Sequence, residues 1–333
     1  MNLTTRFFIY APFALFVTLA LGVSILWFSQ AEALSQRFVR LNGHSLMPGV
    51  TLHFSSKRIE GFPFRLDAVF RDFEIDVATP HGPASWRSDD FALHRLTYDP
   101  DTTLFEAAGR QLLSWTDEKG KRHTAPVAIG AAHASEVEDG RGLERFDLVA
   151  ARIDTATIGV DALQFHLRRE RKSDSLLVYI DAEGMRAHEP VRSGFGRDIE
   201  QLTLSGAVLP DRALANLESG TEAWPASLQA LKAAAGRLEL STIAIGFTQL
   251  QATGKGAISL DQEFRPEGKV DFRITHFSSL LDGHPQSGLA TAIRDRARAA
   301  GASATGEFGM AVGAKDGVIL AGDEPVGVLL PLL

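Results

Sequence analysis

Side chains able to do chemistry are plentiful in this chain, but their spacing forms none of the arrangements that catalysis or metal binding requires. Ten histidines are scattered along it, with no His-Glu-x-x-His and no pair at i, i+4 to seat a metal on one helical face. Cysteine is absent, which removes disulfides, thiolate nucleophiles and Cys-based metal sites together. No Gly-x-Ser-x-Gly elbow, Walker loop or dinucleotide fingerprint occurs. Gly194-Phe195-Gly196 and Gly254-Lys255-Gly256 are lone Gly-x-Gly triplets, which read as a loop or a strand bend. Asp72, Glu74, Asp76, Asp89 and Asp90 gather carboxylates, the groups that glycoside chemistry uses in pairs. Glu74 and Asp76 alternate with Phe73, Ile75 and Val77, however, which places them on the wet face of a strand. Arg168-Arg169-Glu170-Arg171-Lys172 is the densest basic run. Between Leu167 and Leu176 it reads as a solvated hairpin tip, with an anion-binding patch as the alternative. No catalytic residue, metal ligand or cofactor is assigned, and an enzyme is not expected.

The informative residues are apolar. Gly61-Phe62-Pro63-Phe64-Arg65-Leu66 holds a proline that cannot donate to a ladder, so it marks a strand start or an edge, with phenylalanines on either side. Beyond it, apolar side chains recur at every second position. Phe64, Leu66, Ala68 and Phe70 do so, then Phe73, Ile75 and Val77, then Phe91 and Leu93. Phe146, Leu148 and Ala150 follow, and Leu163, Phe165 and Leu167, and either Leu177 and Tyr179 or Leu176, Val178 and Ile180. Turn signals such as Asp99-Pro100-Asp101, Lys119-Gly120 and Asp139-Gly140 separate these runs. This is the pattern of an antiparallel meander with one apolar face. If that face curls open, Phe62, Phe64, Phe70, Phe91, Leu93, Phe165 and Leu167 are the candidates for lining its groove.

The elements that must position these residues fall into four parts: an anchor at 1–33, a β-rich half at 34–200, a helical connection at 201–236 and a second β-rich half at 237–333. A short helix is expected around Leu34 to Leu41. From Pro210 to about Gly236 period two disappears; Asp211 can cap a helix through Leu217, and Pro225 suits the first turn of a second. A last helix is expected from Ser287 to Ala300, with Leu289, Ile293 and Ala297 on one face. A closing hairpin follows around Lys315-Asp316-Gly317, and the apolar tail from Val326 packs as a last strand. The expected fold class is mainly β with a few helices: long, curved antiparallel meander sheets, as a trough or a bent sandwich, behind an N-terminal transmembrane helix.

That helix is the strongest signal in the chain. Residues 7–28 carry no charge, and about twenty apolar residues at roughly 1.5 Å each span a hydrocarbon core of roughly 30 Å. Tyr10 and Trp27 sit near the two ends, where amphipathic rings favour the interface. Ala31-Glu32-Ala33 also matches the small-x-small pattern of a cleaved signal peptide; the length of the apolar run favours an uncleaved anchor. Inner-membrane placement through residues 7–28 with the body in the periplasm is expected, because a long body after a first hydrophobic segment can translocate whatever its charge. The net charge of −7 argues against nucleic acid as a partner.

The chain resembles a family of Gram-negative envelope proteins known only as a domain of unknown function. The cues are the anchor, Gly61-Phe62-Pro63-Phe64, Asp316-Gly317-Val318, Pro325-Val326-Gly327 and the closing Pro331-Leu332. More distantly, Gly254-Lys255-Gly256-Ala257-Ile258-Ser259-Leu260 looks like the strands of AsmA-like proteins. That likeness implies an inner-membrane anchor, a curved sheet with an apolar trough and a part in lipid homeostasis, and it carries no catalytic residues. Two readings stay open: a lipid-binding or lipid-handling protein with phospholipid as its ligand, and a non-catalytic structural or interaction scaffold whose sheet face is closed.

Overall fold

The alternation builds one sheet. The computed structural model describes residues 3–332 except 80, 118, 141, 189–197, 248–249, 278–287 and 303–305, with side chains from residue 12 onward. The Gly194-Phe195-Gly196 triplet and Ser287 lie outside the described residues. Helix α1 (Leu3–Leu41) leads into β1 (His44–Met47), β2 (Val50–His53), β3 (Ser56–Glu60), β4 (Arg65–Thr79), β5 (Gly82–Leu96) and β6 (Asp99–Thr116). Then come β7 (Arg122–Asp139), β8 (Gly142–Thr155), β9 (Ile158–Glu170), β10 (Ser175–Ala187) and β11 (Asp198–Leu209). A 3-10 turn (Asp211–Leu214), α2 (Ala215–Glu218) and α3 (Trp224–Ala233) precede β12 (Arg237–Phe247), β13 (Leu250–Leu260) and β14 (Pro266–Thr275). The chain ends with α4 (Gly288–Ala299), β15 (Glu307–Lys315), β16 (Val318–Ala321) and β17 (Glu324–Val328).

Among the described residues the strands form a single 17-stranded sheet. From β4 onward each pairs antiparallel with the next, while β2 and β3 share the free edge of β4, and β1 pairs with β2. Strands β4 to β10 hold 13 to 18 residues, so they run about 45–60 Å. Strand β11 continues the sheet directly, so the helices of the expected 201–236 connection are confined to 211–233.

Helix α1 does two jobs along its length. Side chains from Pro12 to Leu26 are almost all exposed and apolar, whereas Trp27, Ala31, Leu34, Phe38 and Leu41 recur at helical spacing and pack on the sheet. The short helix expected at Leu34–Leu41 is therefore the docked end of one continuous helix, which runs without a break through Ala31-Glu32-Ala33.

A line of left-handed residues creases the long strands. Asp72 (φ 50°), Gly109 (75°), Arg152 (53°) and Gly184 (60°) stand on alternate strands β4, β6, β8 and β10. The register places Asp89, Gly130 and Asp161 between them on β5, β7 and β9. Such bulges bend a strand and shift its alternation by one, which is how sheets acquire curvature. Their effect is visible at Phe70 and Phe73: three residues apart, they nonetheless meet with ring centroids 5.5 Å apart.

Candidate functional site

Residues directly opposed in an antiparallel ladder share a face, and here the register assembles an unbroken apolar row. Ile59, Ala68, Leu93, Phe105, Ala134, Leu148, Phe165, Ile180, Leu204 and Ile243 stand opposite one another in succession from β3 to β12. Gly254, Phe272 and Met310 carry the row on to β15. One neighbouring row holds Ala150, Leu163, Ala182, Leu202 and Ile245; the other holds Phe146, Leu167, Val178, Gly206 and Leu240. On β10, therefore, Val178 and Ile180 belong to the apolar face and Tyr179 to the opposite one.

The band is closed at both ends. At β3 to β5, α1 covers it: Phe70 has no exposed surface and packs against Phe38 at 4.8 Å and Phe54 at 5.1 Å between ring centroids. At β13 to β16, Ala290, Ile293 and Ala297 of α4 cover Ile274, Phe308 and Met310. The middle, from Phe105 to Ile243, belongs to neither cluster and its side chains are half-buried.

The sequence candidates divide accordingly. Leu93 and Phe165 lie in the central row, Leu167 lies in a flanking row, and Phe91 stacks on Phe73 with centroids 4.0 Å apart. Phe70 shares their face but sits in a closed core, so it lines no groove. Phe62 and Phe64 lie off the band, exposed on the turn before β4. The band also contains Phe105, Leu148, Leu204 and Ile243, whose importance rests on register rather than on local sequence.

Beside α1 the apolar face ends in charge. Leu66, Arg95, Thr103 and Glu136 stand opposite one another, one row in from Leu93. The Arg95 guanidinium donates to Thr103 Oγ1 at 3.0 Å. Burial pushes the Glu136 carboxyl above its ordinary value, Glu138 adds repulsion, and Arg95 opposes both. Two cavities, of about 280 and 350 Å³, flank α1 here and share Leu34, Arg37 and Arg95 as lining. The larger reaches the turn at Leu96 and Thr97; the smaller extends over Phe91, Leu93 and Phe105. Together they follow α1 from the end of the sheet to the start of the band. A concavity of about 610 Å³ on β12 to β15 includes Thr253, Lys255, Asp271, Arg273 and Glu307 of the opposite, wet face. Four of the charges in and around it are paired, Arg273 with Glu307 and Lys269 with Asp271, and we place the site on the band instead.

The basic run differs from expectation. Arg169, read as part of a solvated tip, is nearly buried and forms ion pairs with Asp211 and Glu218. Asp211 accordingly faces Arg169, and no side-chain cap holds the 3-10 turn. Five of the scattered histidines, His53, His94, His123, His166 and His188, each stand within 3.3 Å of an aspartate oxygen. Among the described residues no group of three His, Asp or Glu is placed to hold a metal ion.

Residues 27–327 match the model of a family described as an uncharacterised protein conserved in bacteria (DUF2125), and the chain belongs to that family. The match begins where α1 docks on the sheet. No curated protein matches the chain.

Proposed function

We propose that this member of an uncharacterised bacterial family is a membrane-anchored, non-catalytic lipid-binding protein, its body in the periplasm, that takes phospholipid acyl chains onto the apolar band. The observation that carries the reading is the row from Phe105 to Ile243: seven successive strands each present an apolar residue on one face, and neither helix-covered core includes them. An antiparallel sheet leaves one face wet, but an uncovered apolar face of this extent marks a binding surface. The cleft beside α1 supplies an approach from the anchor, with Arg37 and Arg95 as partners for a phosphate.

An uncleaved anchor is supported by packing. Among the described residues one helix, Pro12–Leu41, is long and apolar enough to cross a membrane. Cleavage after Ala33 would remove Trp27 and Ala31, which pack with Leu66 as part of the body. The scaffold reading has its own support, since α1 and α4 use the two ends of the same band as ordinary core.

The test is a photo-crosslink in cells, with p-benzoylphenylalanine introduced at Phe165 or Leu204, and at Tyr179 on the opposite face. Phospholipid adducts by mass spectrometry at 165 and 204 but not at 179 are expected. Protein adducts alone at the band positions would favour the scaffold.

A further inference from the structure

The turn before β4 is bound to α1 at the residue where the bare apolar stretch of that helix stops. Trp27 is 7% exposed, and its indole N–H donates to the Arg65 carbonyl at 2.6 Å. The Phe62 ring meets Trp27 edge-on at 5.4 Å and stacks on Phe28 at 5.9 Å. Phe28 itself and, one turn earlier, Ile25 are exposed, so Phe62 lies within about 5 Å, along the axis, of the bare stretch.

The turn is rigid and paired with a second one. Arg65 N–H donates to Gly61 O at 2.8 Å, and Gly61 adopts φ 97°, where an added Cβ would stand 2.8 Å from that same Arg65's carbonyl oxygen. Across the sheet end, Thr97 donates through both its N–H (3.0 Å) and its hydroxyl (3.1 Å) to Phe64 O. Tyr98 follows immediately. Phe62, Phe64 and Tyr98 are 52%, 62% and 73% exposed, three aromatic rings facing outward from the one end of the sheet that touches the apolar helix.

We infer that Phe62, Phe64 and Tyr98 form a second membrane contact, a footing that enters the headgroup–acyl boundary of the bilayer spanned by α1. The inference rests on the anchor reading and adds to it the orientation of the body. With Pro12–Leu26 in hydrocarbon, the hydrogen bond from Trp27 holds Phe62 at interfacial depth, where aromatic rings are favoured. A bilayer is the one occupant whose position the chain itself sets. The footing also points the cleft at Arg37, Arg95 and Leu96 toward the lipid headgroups, because that cleft opens beside the Thr97 turn.

The test uses the absence of cysteine, which makes every introduced thiol unique. Full-length Phe64→Cys, Tyr98→Cys, Leu19→Cys and Lys119→Cys proteins are spin-labelled in phosphatidylethanolamine–phosphatidylglycerol vesicles. Collision with oxygen is then compared with collision with a water-soluble nickel complex. Lys119 is exposed on the turn between β6 and β7, at the opposite end of the strands. The expected oxygen-to-nickel ratio is highest at 19, several-fold above the 119 value at 64 and 98, and lowest at 119. If 64 and 98 match 119 while 19 stays in hydrocarbon, the footing is overturned and the anchor stands. If 19 is itself in water, the anchor reading falls and the footing with it.

Discussion

Arg169 Nε and Asp211 Oδ2 stand 2.7 Å apart with both side chains more than nine-tenths buried, joining the end of β9 to the helical segment between β11 and β12. Glu218 on α2 pairs with the same guanidinium. Two carboxylates thus depend on one cation out of water. Arg169→Ala would strand both, and breaking a buried pair costs about 3–5 kcal/mol. Urea unfolding of the full-length protein in detergent should show that loss. Arg169→Lys should recover only part of it, because an ammonium lacks the fork that serves two partners. An unshifted midpoint for the alanine variant would mean that the pair contributes nothing.

Phe64, on the turn before β4, and Phe70, within that strand, should behave oppositely. Phe70 is wholly enclosed by Phe38, Phe54, Phe73 and Phe91, so Phe70→Ala opens a cavity and costs about 3–5 kcal/mol. Phe64 is mostly exposed, so Phe64→Ala should stay within about 0.5 kcal/mol. Equal losses in thermal or urea unfolding would contradict this placement of α1 on the sheet.

The crease offers a contrast between two glycines. At Gly184 (φ 60°) an added Cβ would stand 2.2 Å from Asp161 Oδ2, and Arg186 holds that carboxylate with a 2.7 Å bond. Gly184→Ala combines a left-handed alanine with a pinned neighbour and should cost about 1–2 kcal/mol. At Gly130 the nearest atom is Arg152 Nε, the far end of a flexible side chain. Gly130→Ala should fall within about 0.5 kcal/mol of the parent. A neutral Gly184→Ala would show that the crease is not tightly held.

Acid should loosen three aspartate pairs, two of them on that line and one at the β6–β7 turn. Arg110 hydrogen-bonds Asp89, His123 hydrogen-bonds Asp117 and Arg186 hydrogen-bonds Asp161, each holding its carboxyl below the ordinary value. An acid lowered in the folded state contributes stability above its unfolded value and loses it as pH falls through the folded one. Melting temperature should therefore drop below about pH 4. Arg186→Gln, which frees Asp161, should flatten part of that drop.

The strands were legible because burial on one face leaves a period of two, and the runs at Leu66 to Phe70 and Leu163 to Leu167 carry it openly. The band was not. Which residue faces Leu93 depends on the length of the β5–β6 turn and on the shift between Arg95 and Leu96, and neither follows from local composition. Asp72 and Arg152 look like any polar strand residues, yet they adopt the left-handed conformation. Arg169 looked solvated because its partners lie more than forty residues away, where only the fold brings them near. Ala31 looked like part of a cleavage site and is a buried contact of the body, since the residues it meets belong to a strand that begins after the span.

Glu136 supplies a prediction of opposite sign to that of the three aspartate pairs. Burial raises its carboxyl, Glu138 pushes it the same way, and Arg95 only partly opposes them. A carboxyl raised in the folded state binds more protons there than in the unfolded chain, so stability falls as pH rises through and above the ordinary value of 4.5. Glu136→Gln removes the charge without changing the shape, so the variant should melt above the parent at neutral pH. Below that ordinary value both proteins carry a neutral side chain, and the advantage should vanish. Loss of the three aspartate pairs lowers both melting curves together as pH falls, whereas the Glu136 contribution appears only as the gap between them. A Glu136→Gln variant that melted below the parent at neutral pH, with the deficit closing toward low pH, would mean that Glu136 works in the fold as a carboxylate paired with Arg95 rather than as a charge held against its will beside the apolar band.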